Sequence, residues 1–166
     1  MKAKNQKKHQ TKKLLHQQKE HERKNKNTSS IIVDTGCLLA IFDKKDQYHQ
    51  IASTALEKYN HFNWITTWFV LGEICYHFRH RGDLIESLMK AQHQDHLFDF
   101  FYLKQENLPS LAEIMKKYSN RSIDLADASL ILLAEKLGHG DILTTDSDFN
   151  IYRWAGKKHF NNLLIV

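Results

Sequence analysis

Acidic side chains stand just beyond several apolar segments of this chain, where they could share one metal ion. Asp34 ends the β-branched run Ile31-Ile32-Val33, and Asp146 follows the apolar segment 142–145. In an open parallel sheet the carboxyl ends of the strands meet at one edge, and ligands bind beyond that edge. The other acids that could reach it are Glu73, Asp124 and Asp127. A site with oxygen ligands alone favours Mg²⁺ or Mn²⁺ over zinc.

Each acid taken alone also has a purely structural explanation. Asp124 could cap a helix and Asp127 could occupy its first turn, while Asp146 or Asp148 could form a turn. Glu73 is harder to explain in this way, because an unpaired carboxylate in a helix flanked by apolar residues is costly. Like charges at a shared site repel and raise each other's pKa unless a cation neutralises them. A divalent ion there could polarise a phosphate and orient a water, which predicts phosphodiester hydrolysis.

The segments that must position these acids alternate between strand and helix patterns. Short apolar runs predict strands at residues 31–34, 63–67, 97–103, 141–145 and 163–166. Helical spacing predicts helices from residue 38, through residues 51–59, over 68–80 with a stop at Gly82, and over 84–94, 108–118 and 125–137. This alternation, without an internal repeat, predicts the α/β class, with helices covering both faces of a parallel sheet.

The positive charge of the chain is concentrated near its N-terminus. The net charge of the 166 residues is +5, yet residues 1–30 hold ten Lys or Arg against two Glu, which leaves 14 basic and 17 acidic residues in 31–166. The first segment has few large apolar residues, which predicts a disordered basic arm (1–30) beside one folded domain (31–166). That arm could be a solubilising tail, a mis-assigned start, or an RNA-binding segment. No membrane span or secretory signal is recognisable, which predicts a cytoplasmic protein.

Cysteine and tryptophan residues give weaker signals. Cys37 and Cys75 each lie within an apolar run, which predicts reduced, buried thiols and not a disulfide. Trp64, Trp68 and Trp154 could stack on unpaired bases, although aromatic residues beside apolar strands are more often part of the core.

The same acids belong to an ordered set of motifs. The set comprises IIVDT at residues 31–35, LLA at 38–40, Glu73 in a helix, DLADASL at 124–130 and LTTDSDF at 143–149. It resembles the PIN-domain ribonucleases over essentially all of residues 31–166, and it is most similar to the VapC-type toxins of bacterial type II toxin-antitoxin systems. The resemblance implies a PIN-like three-layer fold, in which helices flank a central parallel sheet of strand order 3-2-1-4-5.

The resemblance also implies roles for individual residues. Four acids match the family's catalytic set: Asp34, Glu73, Asp127 and Asp146. Asp34 and Asp127 would bind the metal directly, while Glu73 and Asp146 would bind it directly or through water. Supporting groups would be Asp124, Asp148, Thr35 and Thr144, and candidates for RNA binding are Arg79, Arg81 and Arg153. The first two arginines could instead complement a helix C-terminus, and Arg153 could form an intramolecular ion pair.

The predicted function is therefore a Mg²⁺- or Mn²⁺-dependent endoribonuclease that cuts single-stranded or loop RNA, with a type II toxin as its biological setting. The resemblance implies a homodimer and a cognate antitoxin, which would inhibit by placing an Arg in the acidic pocket. Two alternatives remain: a non-catalytic RNA-binding protein on the same scaffold, and a housekeeping RNA-processing nuclease. The arm has no counterpart in the family pattern, and residues 83–96 lie where relatives differ most in antitoxin and substrate contacts.

Overall fold

Five short strands form a parallel sheet at the centre of the computed structural model, which describes residues 29–164. Their order across the sheet is β3-β2-β1-β4-β7, and every neighbouring pair is parallel. The strands are β1 (Ser30–Val33), β2 (Asn63–Thr67), β3 (Asp99–Phe101), β4 (Asp141–Leu143) and β7 (Asn161–Asn162). The predicted α/β class and parallel sheet are confirmed, and the fifth sheet strand occupies the predicted edge beside β4.

The central strand owes its position to its sequence. Ile31, Ile32 and Val33 are fully buried, as expected for a strand with helices over both faces of a parallel sheet. Ile32 lies in register with Ile65 of β2 on one side and with Ile142 of β4 on the other. The chain therefore leaves β1 at the middle of the carboxyl edge, with a strand on either side.

Within residues 29–164, six α-helices flank the sheet. They are α1 (Thr35–Phe42), α2 (His49–Lys58), α3 (Trp68–His77), α4 (Gly82–Asp95), α5 (Leu108–Lys117) and α6 (Leu125–Leu137). Helix α6 contacts β1, β2, α3 and α5, and its residues 128–134 are all buried. A helix that is apolar around most of its circumference is expected to be enclosed in this way. Among the described residues, no helix could span a bilayer.

The last strand of the sheet lies earlier in the sequence than predicted. Strand β7 is Asn161–Asn162 and not the apolar segment 163–166, whose final two residues lie outside the described range. Asparagine has low strand propensity, but here the Asn162 side chain donates to the Thr144 carbonyl at 3.0 Å and so extends the contact with β4. The backbone nitrogen of Leu163 still donates to the Ile142 carbonyl at 2.8 Å. Local hydrogen bonds therefore outweighed the apolar pattern in setting the strand's limits.

One further prediction of an element limit is wrong, and one element was not predicted at all. Helix α3 ends at His77, and Gly82 begins α4 instead of terminating α3. A two-stranded antiparallel hairpin, β5 (Arg153–Trp154) with β6 (Lys158–His159), was not predicted. Its turn contains two residues with positive φ, Ala155 and Gly156, and the glycine was the only local sign of it. The predicted basic arm lies, up to residue 28, outside the described residues.

Candidate active site

Asp34 lies at the middle of the carboxyl edge, immediately after β1. Its backbone nitrogen continues the ladder by donating to the Leu143 carbonyl at 3.1 Å, and its side chain caps α1 by accepting from the Thr35 nitrogen at 2.6 Å. The second carboxylate oxygen accepts from Thr144 Oγ1, also at 2.6 Å. The side chain is only 4% exposed. The carboxylate is therefore fixed between two adjacent strands.

Burial governs the proton affinity of Asp34. Loss of solvation raises the pKa from 3.8 to about 7, and the charges of Glu73 and Asp146 add to the increase. Hydrogen bonds from Thr144 and Thr35 stabilise the ionised form and so lower the pKa, which opposes the effect of burial. A buried carboxylate that keeps donors to both oxygens is suited to interact with a cation.

Glu73 reaches the same site from the second turn of α3. Its Oε2 accepts from Thr35 Oγ1 at 2.6 Å, and its Oε1 lies 3.7 Å from His77 Nε2. Partial burial raises the pKa of Glu73, and the charge of Asp124 raises it further. The sequence indicated that an unpaired Glu73 carboxylate would be costly. In the structure it has a hydrogen-bond partner in Thr35, the residue that follows Asp34.

Asp127 occupies the first turn of α6, and Asp124 caps that helix. The Asp127 nitrogen donates to Asp124 Oδ1 at 2.9 Å, so the structural explanation considered for Asp124 is correct. The pKa of Asp127 is raised from 3.8 to about 8. Desolvation is the largest cause, and the charges of Asp34, Asp124 and Asp146 come next. These acids therefore form one electrostatic cluster, although they come from separate elements.

Asp146 completes this cluster after β4. Its nitrogen donates to Thr144 Oγ1 at 2.9 Å, and its Oδ1 accepts from the Asp148 nitrogen at 2.8 Å. The latter bond caps the short 3-10 helix Ser147–Asn150, so Asp146 is a turn former as well as a neighbour of Asp34. Thr144 links both acids, because its hydroxyl donates to Asp34 and accepts from the Asp146 backbone.

Tyr152 is a component that the sequence did not reveal. Its ring is fully buried and makes edge-to-face contacts with Tyr118 and Phe149, whose centroids lie 5.0 and 5.3 Å away. Its hydroxyl donates to Asp127 Oδ2 at 3.1 Å. A buried tyrosine is expected to find a hydrogen-bond partner, but no sequence spacing identifies Asp127 as that partner.

The donor set fits a hard divalent cation. All of its candidate ligating atoms are oxygen. Burial and, after it, repulsion from neighbouring acids raise the pKa of Asp34 and Asp127, and a cation would relieve both effects. Within residues 29–164, no three His, Cys, Asp or Glu side chains already enclose a metal position. Mg²⁺ commonly binds one or two carboxylates directly and completes its shell with water and phosphate oxygens. Asp34 and Asp127 could supply those two carboxylates.

The three candidate arginines make intramolecular contacts. Arg79 donates to the Tyr76 carbonyl at 2.9 Å near the end of α3, which agrees with the helix-terminus alternative. Arg81 makes paired hydrogen bonds to Asp83 at 3.2 and 3.1 Å. Arg153 donates through one nitrogen to three successive carbonyls, those of residues 150–152. Their role in RNA binding stays a prediction.

Comparisons with known proteins agree with this architecture. The sequence matches the profile of a family described as PIN domain over residues 31–155. The fold matches the crystal structure of Mycobacterium tuberculosis VapC20, described as a toxin that cleaves the sarcin-ricin loop, with a TM-score of 0.63. Sequence identity in that match is 20%, and it covers 73% of this chain and 93% of VapC20. Among curated protein sequences, none matches this chain.

Proposed function

This chain belongs to the PIN domain family, and on that premise we propose that it is a divalent-metal-dependent endoribonuclease. One observation carries the proposal: burial and mutual repulsion raise the pKa of Asp34 to about 7 and of Asp127 to about 8 at the carboxyl edge of the sheet. Clustered carboxylates with strongly perturbed pKa values are typical of sites that perform chemistry. The arrangement costs stability unless a cation or a proton compensates for it.

Asp34 and Asp127 would hold Mg²⁺ or Mn²⁺ directly, and Glu73 and Asp146 would do so directly or through water. The ion would supply charge stabilisation at a scissile phosphate and would lower the pKa of a bound water. Thr144 and Tyr152 hold two of these carboxylates in place by donating to Asp34 and Asp127. Asp124 and Asp148 contribute negative charge beside them and organise the adjoining turns.

A toxin of a type II toxin-antitoxin pair is the biological setting that we propose. VapC20 has this fold and is described as a toxin that cleaves the sarcin-ricin loop, which supports a single-stranded or looped RNA substrate for this chain. The same setting implies a cognate antitoxin, homodimerisation and a cytoplasmic location. An antitoxin arginine could enter the acidic cluster, because a guanidinium fork pairs well with carboxylates.

Cleavage of a structured RNA pool by the full chain is the direct test. The reaction is run with Mg²⁺, with Mn²⁺ and with EDTA, for wild type, Asp127→Asn and the matched surface variant Glu113→Gln on α5. We expect cleavage by wild type and Glu113→Gln in either metal, and none with EDTA or with Asp127→Asn. Equal cleavage by Asp127→Asn would refute the assigned site. Tight RNA binding without any cleavage would favour the non-catalytic RNA-binding alternative.

A further inference from the structure

Three aromatic rings, two of them well exposed, follow or belong to strands β2 and β3 of the sheet. Trp68 begins α3, directly after β2, and stacks on Phe100 of β3 with ring centroids 4.0 Å apart and planes 10° apart. Tyr102 follows β3, with its ring 6.5 Å from that of Trp68. Trp68 is 50% and Tyr102 67% exposed. We call Trp68, Phe100 and Tyr102 the aromatic platform.

Two of the three rings, those of Trp68 and Phe100, are held in place by packing although the platform is exposed. Phe100 belongs to β3, and its ring meets the buried Phe98 edge to face at 5.3 Å. Phe100 covers one face of the Trp68 indole, so the exposed area of Trp68 lies on its opposite face and edges. Thr67, which precedes it, is fixed by a 2.7 Å hydrogen bond to Ser129. An aromatic ring held in one orientation with a free face can stack with little loss of conformational entropy.

The platform and the acids occupy the same edge of the sheet. Trp68 follows β2, which pairs with β1, and Tyr102 follows β3, which pairs with β2. Neighbouring strands lie about 4.8 Å apart, so Trp68 is one strand spacing and Tyr102 two from the strand that ends at Asp34. One or two nucleotides of an unpaired strand can cover that span.

We propose that the aromatic platform stacks on an unpaired base of the RNA substrate, next to the phosphate that is cut. This inference rests on the proposed nuclease function and adds how the site selects its substrate. Residues 31–166 hold 14 basic and 17 acidic residues, so phosphate attraction alone gives this domain little affinity for RNA. Stacking needs no charge and is available only to bases that are not enclosed in a duplex. The platform therefore favours single-stranded or looped RNA.

Binding in EDTA separates stacking from cleavage. The probes are single-stranded oligo(U) and oligo(A) of ten nucleotides, an abasic strand of the same length that lacks all bases, and a blunt RNA duplex. The fluorescence of Trp68 also reports stacking directly. Trp64 and Trp154 are buried, at 3% and 6% exposure, so quenching of tryptophan fluorescence by a stacked base should come from Trp68. Trp68→Leu removes the ring but keeps apolar contact with Phe100, and Trp68→Phe restores a ring.

We expect single strands, but not the duplex, to quench the fluorescence of wild type. Trp68→Leu should lose about 10- to 100-fold in single-strand affinity, the range typical of one stacked base, and Trp68→Phe should recover most of it. Duplex binding should stay unchanged in both variants, since it depends on phosphate contacts such as those available to the basic arm. The abasic strand should bind wild type more weakly than oligo(U) or oligo(A) does, while Trp68→Leu should distinguish these strands much less.

The results also separate this inference from the nuclease proposal. If wild type cuts RNA while Trp68→Leu binds and cuts equally well, stacking is refuted and the nuclease stands. If single strands quench wild type and require Trp68, yet no metal supports cleavage, the platform stands and the nuclease falls. The inference is refuted if wild type binds no single-stranded RNA. It is also refuted if Trp68→Leu loses only self-association, and the platform would then be assigned to a protein contact.

Discussion

Replacing Asp127 by Asn should stabilise the metal-free protein at alkaline pH. Burial and neighbouring charges raise the pKa of Asp127 from 3.8 to about 8, so the folded state retains a proton that the unfolded chain has already lost. The stability that this proton confers is fully present below about pH 4 and is lost as the pH rises to about 8. Asn carries no charge at any pH and escapes that loss.

The size of the effect follows from the shift. A rise of about four pKa units corresponds to about 6 kcal/mol at most. Asp127 is partly exposed, so water screens part of this energy. We expect a gain of about 2 kcal/mol in the free energy of unfolding at pH 9, or about 6 °C in Tm. At pH 4.5 the gain should be below about 0.5 kcal/mol.

Urea unfolding followed by circular dichroism in EDTA measures both values. Glu113→Gln removes an exposed carboxylate from α5 and is the matched control, which should stay within about 0.5 kcal/mol of wild type at both pH values. The reasoning fails if Asp127→Asn is less stable than wild type at pH 9. It fails equally if the gain is the same at pH 4.5, because a gain independent of pH does not come from the carboxylate's charge.

Adding metal ions should reverse the order of stability. At pH 8, Mg²⁺ or Mn²⁺ at 100 times its dissociation constant should stabilise wild type by about 2.7 kcal/mol. Asp127→Asn lacks one of the two proposed direct ligands and should gain much less. Equal stabilisation of the two proteins would place the ion elsewhere.

Two further substitutions probe the groups around the acids. Tyr152→Phe removes the donor to Asp127 and should weaken Mn²⁺ binding about 10-fold at pH 7.5, measured by titration calorimetry; an unchanged affinity would show that the hydroxyl does not position the carboxylate. Gly36→Ala places a Cβ against Thr145 Oγ1 and should cost about 1–3 kcal/mol of stability in urea unfolding. Gly72→Ala in α3, where a Cβ meets nothing within 4 Å, should instead gain up to about 1 kcal/mol. A Gly36→Ala protein as stable as Gly72→Ala would contradict the close approach.

The sequence predicted the sheet well where burial alone decides the structure. The run Ile31-Ile32-Val33 is typical of a strand enclosed on both faces, and a strand of that kind places Asp34 at the carboxyl edge. The helix at 125–137 was predicted to the residue, since Asp124 and Gly138 mark its two ends. Apolar patterns of this kind reflect the removal of apolar surface from water, which is the dominant favourable contribution to the free energy of folding.

The sequence failed where specific hydrogen bonds or distant contacts decide. Strand β7 consists of two asparagines that form hydrogen bonds with β4, although the low strand propensity of asparagine predicts no strand there. The partner of Tyr152 is 25 positions away in the chain, and no periodicity relates them. The sequence also did not show that Trp68 is exposed while Trp64 and Trp154 are buried, because exposure depends on which helices cover each face of the sheet.

The hydrogen bond from Thr144 to Asp34 has a consequence for when the site can exist. It joins residues 110 positions apart, so Asp34 is made early during synthesis of the chain and its buried donor late. A growing chain that stops before β4 has neither Thr144 nor Asp146, and Asp34 then lacks the strand that adjoins it on one side. Contacts between distant residues form after local ones. The acidic cluster can thus be assembled only after β4 and Asp146 have been synthesised, when most of the domain already exists.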